Sequence, residues 1–187
     1  ASGGRRTPTG QQTMAELLGL RRHLKRADPQ LLQRILDSNP DYFYDLAPHQ
    51  LDLLQEMFGC ILEAEGYKSN RGGLYDVEDT ISACFKFESG LPGSGSWCFV
   101  AHESAKEDRI EIIGDKGMLS FSVYTYEPIV LHTEKGIESF SPQNPEYVQL
   151  PIIQSVIEHL QGNSICTCDG LSATPTNWVM DRILNKL

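Results

Sequence analysis

The spacing of apolar residues along the chain changes from helical to strand-like near residue 60. Between residues 11 and 58 apolar side chains recur every three or four positions, which places them on one face of a helix. Between residues 60 and 140 they alternate with polar side chains, as in strands with one buried face. The helical spacing returns after residue 150. The pattern predicts helices at both ends of a central sheet.

Three helices are predicted before the sheet and two after it. Two short helices within residues 11–38 form a hairpin with a basic outer face. A third is predicted to begin with Asp45 as its N-cap, to carry Pro48 in its first turn and to end at Gly59. The last two are predicted at residues 151–160 and near the end of the chain.

Six or seven strands are predicted between the helices, mostly joined by short glycine-containing turns. They cover residues 61–67, 80–87, 97–101, 109–113, 118–124, 129–132 and 137–140. Short turns join antiparallel neighbours. We therefore expect an α+β fold with a mostly antiparallel open sheet of about six strands, helices on one face, and an N-terminal helical hairpin.

Composition and charge narrow the classes of function. Hydrophobic residues make up 40% and charged residues 22% of the chain, which supports a packed core. The net charge of −9 argues against nucleic acid as a partner. Residues 1–40 nevertheless carry seven basic and three acidic side chains. The charge shift predicts two units, an appendage at 1–40 and a main domain at 41–187.

The sequence contains no recognisable targeting or membrane segment. No apolar run approaches the roughly 18–20 residues that a membrane-spanning helix needs, and no apolar stretch follows the first residues as in a signal peptide. The five cysteines, an odd number, fit a reducing compartment. We expect a cytoplasmic protein without a membrane partner.

The strongest candidate chemistry lies on the third predicted helix. Asp45 and His49 are one helical turn apart, so the carboxylate can orient the imidazole and favour its charged form. Such a pair is suited to transferring a proton near neutral pH. Asp52 continues the same face. The alternative is that Asp45 only caps the helix and His49 lies on a solvated surface.

Three other motifs favour structural interpretations. A metal site formed by His49, Asp52, Cys166 and Cys168 lacks the spacing of zinc sites, and alternation around the two cysteines favours a short strand, so no metal is expected. The glycine-rich residues 90–95 join two antiparallel strands and match no phosphate-binding loop. The basic residues 21–26 could meet anionic lipid or an acidic protein, although a solvated face is the simpler interpretation.

Four stretches, in order along the chain, resemble the C-terminal domain of the glucose–fructose oxidoreductase, inositol dehydrogenase and rhizopine-catabolism (Gfo/Idh/MocA) family. Residues 42–54 are similar to the family's helix with an Asp-x-x-x-His-x-x-Asp motif, matched by Asp45, His49 and Asp52. Residues 75–80 resemble a strand entry, residues 109–119 a hairpin, and residues 169–183 the closing helix.

This resemblance implies the substrate-binding and oligomerising half of an NAD(P)-dependent oxidoreductase. His49 would transfer the proton of a sugar or cyclitol hydroxyl, Asp45 would support it, and Asp52 would help bind the substrate. NAD or NADP would be bound mainly by a domain with a glycine fingerprint that this sequence lacks, so the cofactor-binding residues are unknown and the chain alone is expected to be inactive. A homo-oligomer through the sheet face is also implied.

Residues 4–48 resemble instead the cytoplasmic C-terminal part of bacterial membrane proteins of unknown function. The chain is therefore interpreted as a fusion, a fragment or a natural rearrangement. Two alternative functions stay open: a non-enzymatic dimerisation or scaffold module whose basic hairpin docks to a partner, and the soluble part of a membrane-associated protein.

Overall fold

The computed structural model describes residues 42–74 and 76–186. Within these ranges the fold is α+β, as predicted. The helices are α1 (Tyr42–Phe58), α2 (Leu150–Leu160) and α3 (Thr174–Ile183), and a short 3-10 helix covers Glu103–Ala105. The strands are β1 (Ile61–Ser69), β2 (Thr80–Phe87), β3 (Pro92–Cys98), β4 (Ile110–Gly114), β5 (Gly117–Phe121), β6 (Ile129–Thr133) and β7 (Gly136–Phe140).

The strands form two antiparallel sheets, so the expected single sheet of about six strands is wrong. One sheet has the order β1-β2-β3 and the other the order β4-β5-β6-β7. Every pairing joins strands that are consecutive in sequence. Short turns determine such local pairs, whereas no local signal determines whether β3 and β4 also pair. Residues 99–109 separate them instead.

The core lies between α1, α3 and the three-stranded sheet. Its buried residues are Phe43, Ala47, Leu51, Ile61, Ala64, Ile81, Ala83, Phe85, Phe87, Val179, Met180, Ile183 and Leu184. Fully burying a large apolar side chain stabilises the fold by about 1.5–3 kcal/mol. The alternating apolar residues of β2 all face this core, as their spacing predicted. Gly66 of β1 allows α3 to approach, because a Cβ there would lie 2.6 Å from the Ile183 carbonyl oxygen.

Helix α1 begins earlier than predicted. It starts at Tyr42, so Asp45 lies within its first turn rather than at the N-cap, and Pro48 lies inside the helix. The reason is tertiary packing, because Phe43 is fully buried and keeps the additional turn against the core. The predicted end is confirmed, since Gly59 follows the helix with a φ of +85° that favours glycine.

Two other local predictions are wrong. Strand β3 runs from Pro92 to Cys98 and not over the predicted residues 97–101. Its glycines and serines are typical of a turn, so the sequence pattern placed the strand too late. The short strand expected around Cys166 and Cys168 is an irregular segment, in which the Cys166 thiol lies 3.5 Å from the Cys168 carbonyl oxygen. The predicted hairpin of residues 11–38 and the basic residues 21–26 lie outside the described residues.

Among residues 42–74 and 76–186, none of the helices combines the length and the apolar character needed to cross a bilayer.

Candidate active site

All three predicted site residues lie on the exposed face of α1. Asp45, His49 and Asp52 project opposite the buried stripe that contains Ala47 and Leu51. The helix thus brings Asp45 and His49 onto one face, as their spacing predicted. Within the described part of the chain, no hydrogen bond joins these two side chains.

Tyr124 packs against His49. The two ring centroids are 5.7 Å apart and the ring planes meet at 83°. The Tyr124 hydroxyl donates a hydrogen bond to the carbonyl oxygen of Leu46, one turn before His49 on the same helix. The tyrosine therefore contacts α1 at two points and covers one side of the imidazole.

The Tyr124 phenol remains protonated over a wide pH range. Burial, followed by the negative charges of Asp108 and Asp45, raises the pKa of this phenol to about 12. A protonated phenol is a hydrogen-bond donor, which fits its bond to the Leu46 carbonyl.

Asp108 organises the segment that carries Tyr124. Its Oδ2 atom accepts hydrogen bonds from the Ser122 hydroxyl, from the Val123 N–H at 2.6 Å and from the Tyr124 N–H at 2.8 Å. Its Oδ1 atom accepts one from the Gln50 side-chain amide at 2.7 Å. Burial raises the pKa of the Asp108 carboxyl, but these hydrogen bonds outweigh burial and hold the pKa below its ordinary value.

Gln50 connects this cluster to the three-stranded sheet. The Trp97 indole N–H donates to the Gln50 side-chain oxygen at 2.6 Å. The Trp97 ring also packs edge-on against the buried Phe43 ring, with centroids 5.1 Å apart. The amide of Gln50, directly after His49 in sequence, is therefore held on both sides.

Asp52 is engaged in a contact between helices. Its Oδ1 atom accepts a hydrogen bond from the hydroxyl of the buried Thr176 on α3 at 3.0 Å. That hydroxyl in turn accepts one from the Gln55 side-chain amide at 2.9 Å. The contact gives Asp52 a role in fastening α1 to α3, which its predicted role in substrate binding did not include.

A groove with a volume of about 540 Å³ lies along residues 104–109 and 120–130. Asp108 belongs to its wall. The two cations in the wall form ion pairs: Lys106 with Glu103 at 2.6 Å, and Arg109 with Glu107 at 3.1 Å and with Glu111 at 3.2 Å. The groove is thus polar but offers no unpaired cation for an anionic ligand.

The described residues contain no cluster of potential metal ligands and no glycine-rich turn from a strand into a helix. His49, Asp52, Cys166 and Cys168 are not brought together, and the described ranges contain no cluster of three or more potential ligands. The glycine-rich segment lies in the β2–β3 hairpin, where a Cβ at Gly93 would lie 2.2 Å from the Phe85 ring. The connection from β7 to α2 contains no glycine, whereas dinucleotide sites use a glycine-rich turn between a strand and a helix.

Spacing along the sequence did not identify Tyr124, Asp108 or Gln50 as site residues. Tyr124 and Asp108 lie far from His49 in sequence and meet it only through the fold. The sequence contains only a local signal for these residues. Asp and Ser beside strand ends favour turns in which their side chains form hydrogen bonds with the backbone.

Comparisons with known proteins agree with this architecture. The profile of the GFO/IDH/MocA C-terminal domain matches residues 24–120 and so begins inside the segment predicted as an appendage. Oxidoreductase P35 of Formosa agariphila is 33% identical over 146 residues, which are 77% of this chain and 43% of that protein.

Two solved structures have a similar fold. UDP-N-acetylglucosamine 3-dehydrogenase GnnA of Acidithiobacillus ferrooxidans superposes with a TM-score of 0.65 at 14% identity, over 76% of this chain and 45% of that one. The WlbA dehydrogenase of Bordetella pertussis, solved with NADH and UDP-GlcNAcA, gives 0.61 at 21% identity, over 76% and 43%. The chain spans less than half the length of these relatives.

Proposed function

Because the chain belongs to the Gfo/Idh/MocA family of oxidoreductases through the family's C-terminal domain, we propose that it forms the substrate-binding part of an NAD(P)-dependent enzyme. The proposed reaction interconverts a hydroxyl and a carbonyl on a sugar or cyclitol. The observation that carries the proposal is His49, an exposed imidazole on the same helix face as Asp45 and in ring contact with Tyr124.

His49 is the proposed proton acceptor. A neutral imidazole accepts the hydroxyl proton through its free ring nitrogen and becomes an imidazolium. Asp45, one turn away, stabilises that positive charge electrostatically. The described residues contain no glycine-rich turn from a strand into a helix, the feature that many dinucleotide sites use. We therefore assign none of them to the hydride step and propose that another domain binds the nicotinamide.

Two proteins of similar fold support a sugar-like substrate. GnnA is a dehydrogenase of UDP-N-acetylglucosamine, and WlbA was solved with a related sugar nucleotide. The groove beside Asp108 is lined by hydroxyl, carboxylate and paired basic groups together with apolar residues such as Phe121 and Val130. Its polar groups suit a ligand rich in hydroxyl groups. The proposed partner of this chain is therefore a small polar molecule.

Binding of sugars to the chain tests this proposal. We would titrate the wild type and the His49→Gln variant calorimetrically with UDP-N-acetylglucosamine, glucose and myo-inositol, with His132→Gln as the matched control. Loss of one hydrogen bond, about 0.5–1.5 kcal/mol, weakens binding about two- to tenfold in His49→Gln only. No binding of any of the three by the wild type, or equal binding by all variants, would overturn the proposal.

Cofactor titration tests the proposal that the nicotinamide cofactor is bound by another domain. We expect NADH and NADPH to give no binding heat with this chain. In an enzyme that also carries the nucleotide-binding part, His49→Ala should lower turnover by about 10²–10⁴-fold, as expected for a lost general base. Micromolar binding of either dinucleotide by the chain would contradict the proposal that another domain binds the cofactor.

We further propose self-association through an exposed sheet face. Ile113 and Ile137 lie in one row of cross-strand neighbours with Met118 and His132, so they share one face of the four-stranded sheet. Both isoleucines are exposed, and β7 has no buried residue. Apolar surface of this kind commonly marks an interface. Analytical ultracentrifugation should detect an oligomer that Ile137→Lys dissociates, whereas Lys135→Glu in the neighbouring turn leaves it intact. A monomeric wild type would refute the proposal.

A further inference from the structure

We propose that Asp108 and Tyr124 are positioning residues for His49. Asp108 shapes the segment of residues 122–125 and fastens it to α1, and Tyr124, carried by this segment, holds the imidazole. The importance of this arrangement for catalysis rests on the proposed function of His49. The arrangement itself depends only on the contacts of the fold and is testable separately.

The two carboxylate oxygens of Asp108 serve different parts of the chain. Oδ2 accepts the hydroxyl and the two backbone N–H groups of Ser122, Val123 and Tyr124. Oδ1 accepts the side-chain amide of Gln50. Because Gln50 directly follows His49, a single carboxylate joins the Tyr124 segment to the helical turn that carries the imidazole.

The amide of Gln50 has one available orientation. Its oxygen accepts the Trp97 indole N–H at 2.6 Å, so its nitrogen must face Asp108. Turning the amide over would place two donors together at Trp97 and two acceptors together at Asp108. The direction of the link from the three-stranded sheet to Asp108 is thereby fixed.

Tyr124 contacts α1 on both sides of the turn before His49. Its hydroxyl bonds to the Leu46 carbonyl, and its ring meets the imidazole nearly at right angles. An edge-to-face contact of two rings favours one relative orientation. The high pKa of the phenol, about 12, keeps the hydroxyl a donor at any physiological pH. The imidazole is therefore restricted on the side covered by Tyr124, and its other side remains open.

Asp108→Asn removes one of the two functions of the carboxylate. An asparagine has one acceptor oxygen, which can serve either the backbone of residues 122–124 or Gln50. It cannot serve both, because its other atom is a donor. Asp108→Ala removes both functions. Asp115→Ala, which removes an exposed carboxylate from the turn between β4 and β5, is the matched control.

Nuclear magnetic resonance on the 187-residue chain with labelled histidine and tyrosine tests the proposal. The wild type and Asp115→Ala should show a nuclear Overhauser effect between the Tyr124 and His49 ring protons. We expect a loss of at least about half of its intensity in Asp108→Asn and all of it in Asp108→Ala. His49→Gln and Tyr124→Leu assign the signal.

Each outcome separates this proposal from the proposed function. An absent signal in the wild type, or an unchanged signal in Asp108→Asn, would overturn the positioning role even if His49→Gln weakens sugar binding. A lost signal in Asp108→Asn supports positioning even if no sugar binds. Should Asp108→Ala unfold, the amide spectrum will report it, and Asp108→Asn alone decides.

Discussion

The carboxylate of Asp108 accepts four hydrogen bonds from two separate parts of the chain. Charged acceptors form stronger hydrogen bonds than neutral ones, so the link depends on the ionised form. Its stabilising effect should accordingly vary with pH.

Stability should follow the ionisation of Asp108. Its folded pKa lies below the ordinary value of 3.8, so the stabilisation is fully present above that value and is lost as the pH falls through the lower, folded pKa. The thermal midpoint of the wild type should exceed that of Asp108→Asn at pH 7, and the difference should shrink below about pH 4. Asp115→Asn is the control. A constant difference across this range would contradict the prediction.

The Tyr124 phenol should ionise with a midpoint of about 12, above the ordinary 10.0, because burial disfavours the phenolate. The difference in phenolate absorbance between the wild type and Tyr124→Phe isolates this group in an alkaline titration. Circular dichroism at each pH verifies that the helices persist. A midpoint near 10 in the folded chain would show that Tyr124 is solvated and not packed against α1.

How far the sequence predicts the site depends on the distance between residues along the chain. Asp45 and His49 share one helix face, so spacing alone placed them together. Tyr124 and Asp108 join them through hydrogen bonds between distant segments, which no periodic pattern encodes. The bond between Asp52 and Thr176 was missed for the same reason.

At the scale of elements, β2 and β3 differ in how well their sequences reveal them. In β2, large apolar residues alternate with polar ones and the burial follows. In β3, glycines replace the large residues on one face, because the aromatic rings of Phe85 and Trp97 occupy that space. A strand with such glycines resembles a loop in composition, and only the rings of its neighbours explain it.

Gly93→Ala should therefore be destabilising. A Cβ there would lie 2.2 Å from the Phe85 ring, which is buried in the core and has little room to move. Overpacking of this kind costs about 1–3 kcal/mol in free energy of unfolding, measurable by urea denaturation. Gly170→Ala is the control, since nothing lies within 4 Å of a Cβ at that position. Equal stability of both variants would contradict the predicted clash.

At the scale of the described part of the molecule, burial is uneven between the two sheets. The three-stranded sheet shares the core with α1 and α3. In the four-stranded sheet only Ile110 is buried, and α2 has no buried residue within the described ranges. The antiparallel strands and their turns were largely predictable, but the separation into two sheets was not, because it depends on which surfaces meet.

Backbone exchange should reflect this difference. Amides of β1, β2 and α3 should exchange most slowly, and those of α2, together with those of β7 in the dissociated Ile137→Lys variant, several orders of magnitude faster, because local opening is easiest where little apolar surface is buried. Hydrogen–deuterium exchange measured by mass spectrometry checks this. Strong protection of β7 would indicate that another surface covers it in solution, and its loss on dilution would identify that surface as a second copy.

The hydrogen bond from Trp97 to Gln50 makes Trp97 an intrinsic fluorescent probe of the candidate site. The chain contains two tryptophans, so Trp178→Phe leaves the Trp97 indole as the single strong fluorophore. Indole emission responds to hydrogen bonding and to nearby solvent, and Trp97 is one link away from Asp108 and from the helical turn of His49. The wavelength and lifetime of its emission then report whether the candidate site is formed, without any added dye. Stopped-flow fluorescence would measure the rate at which a ligand binds there.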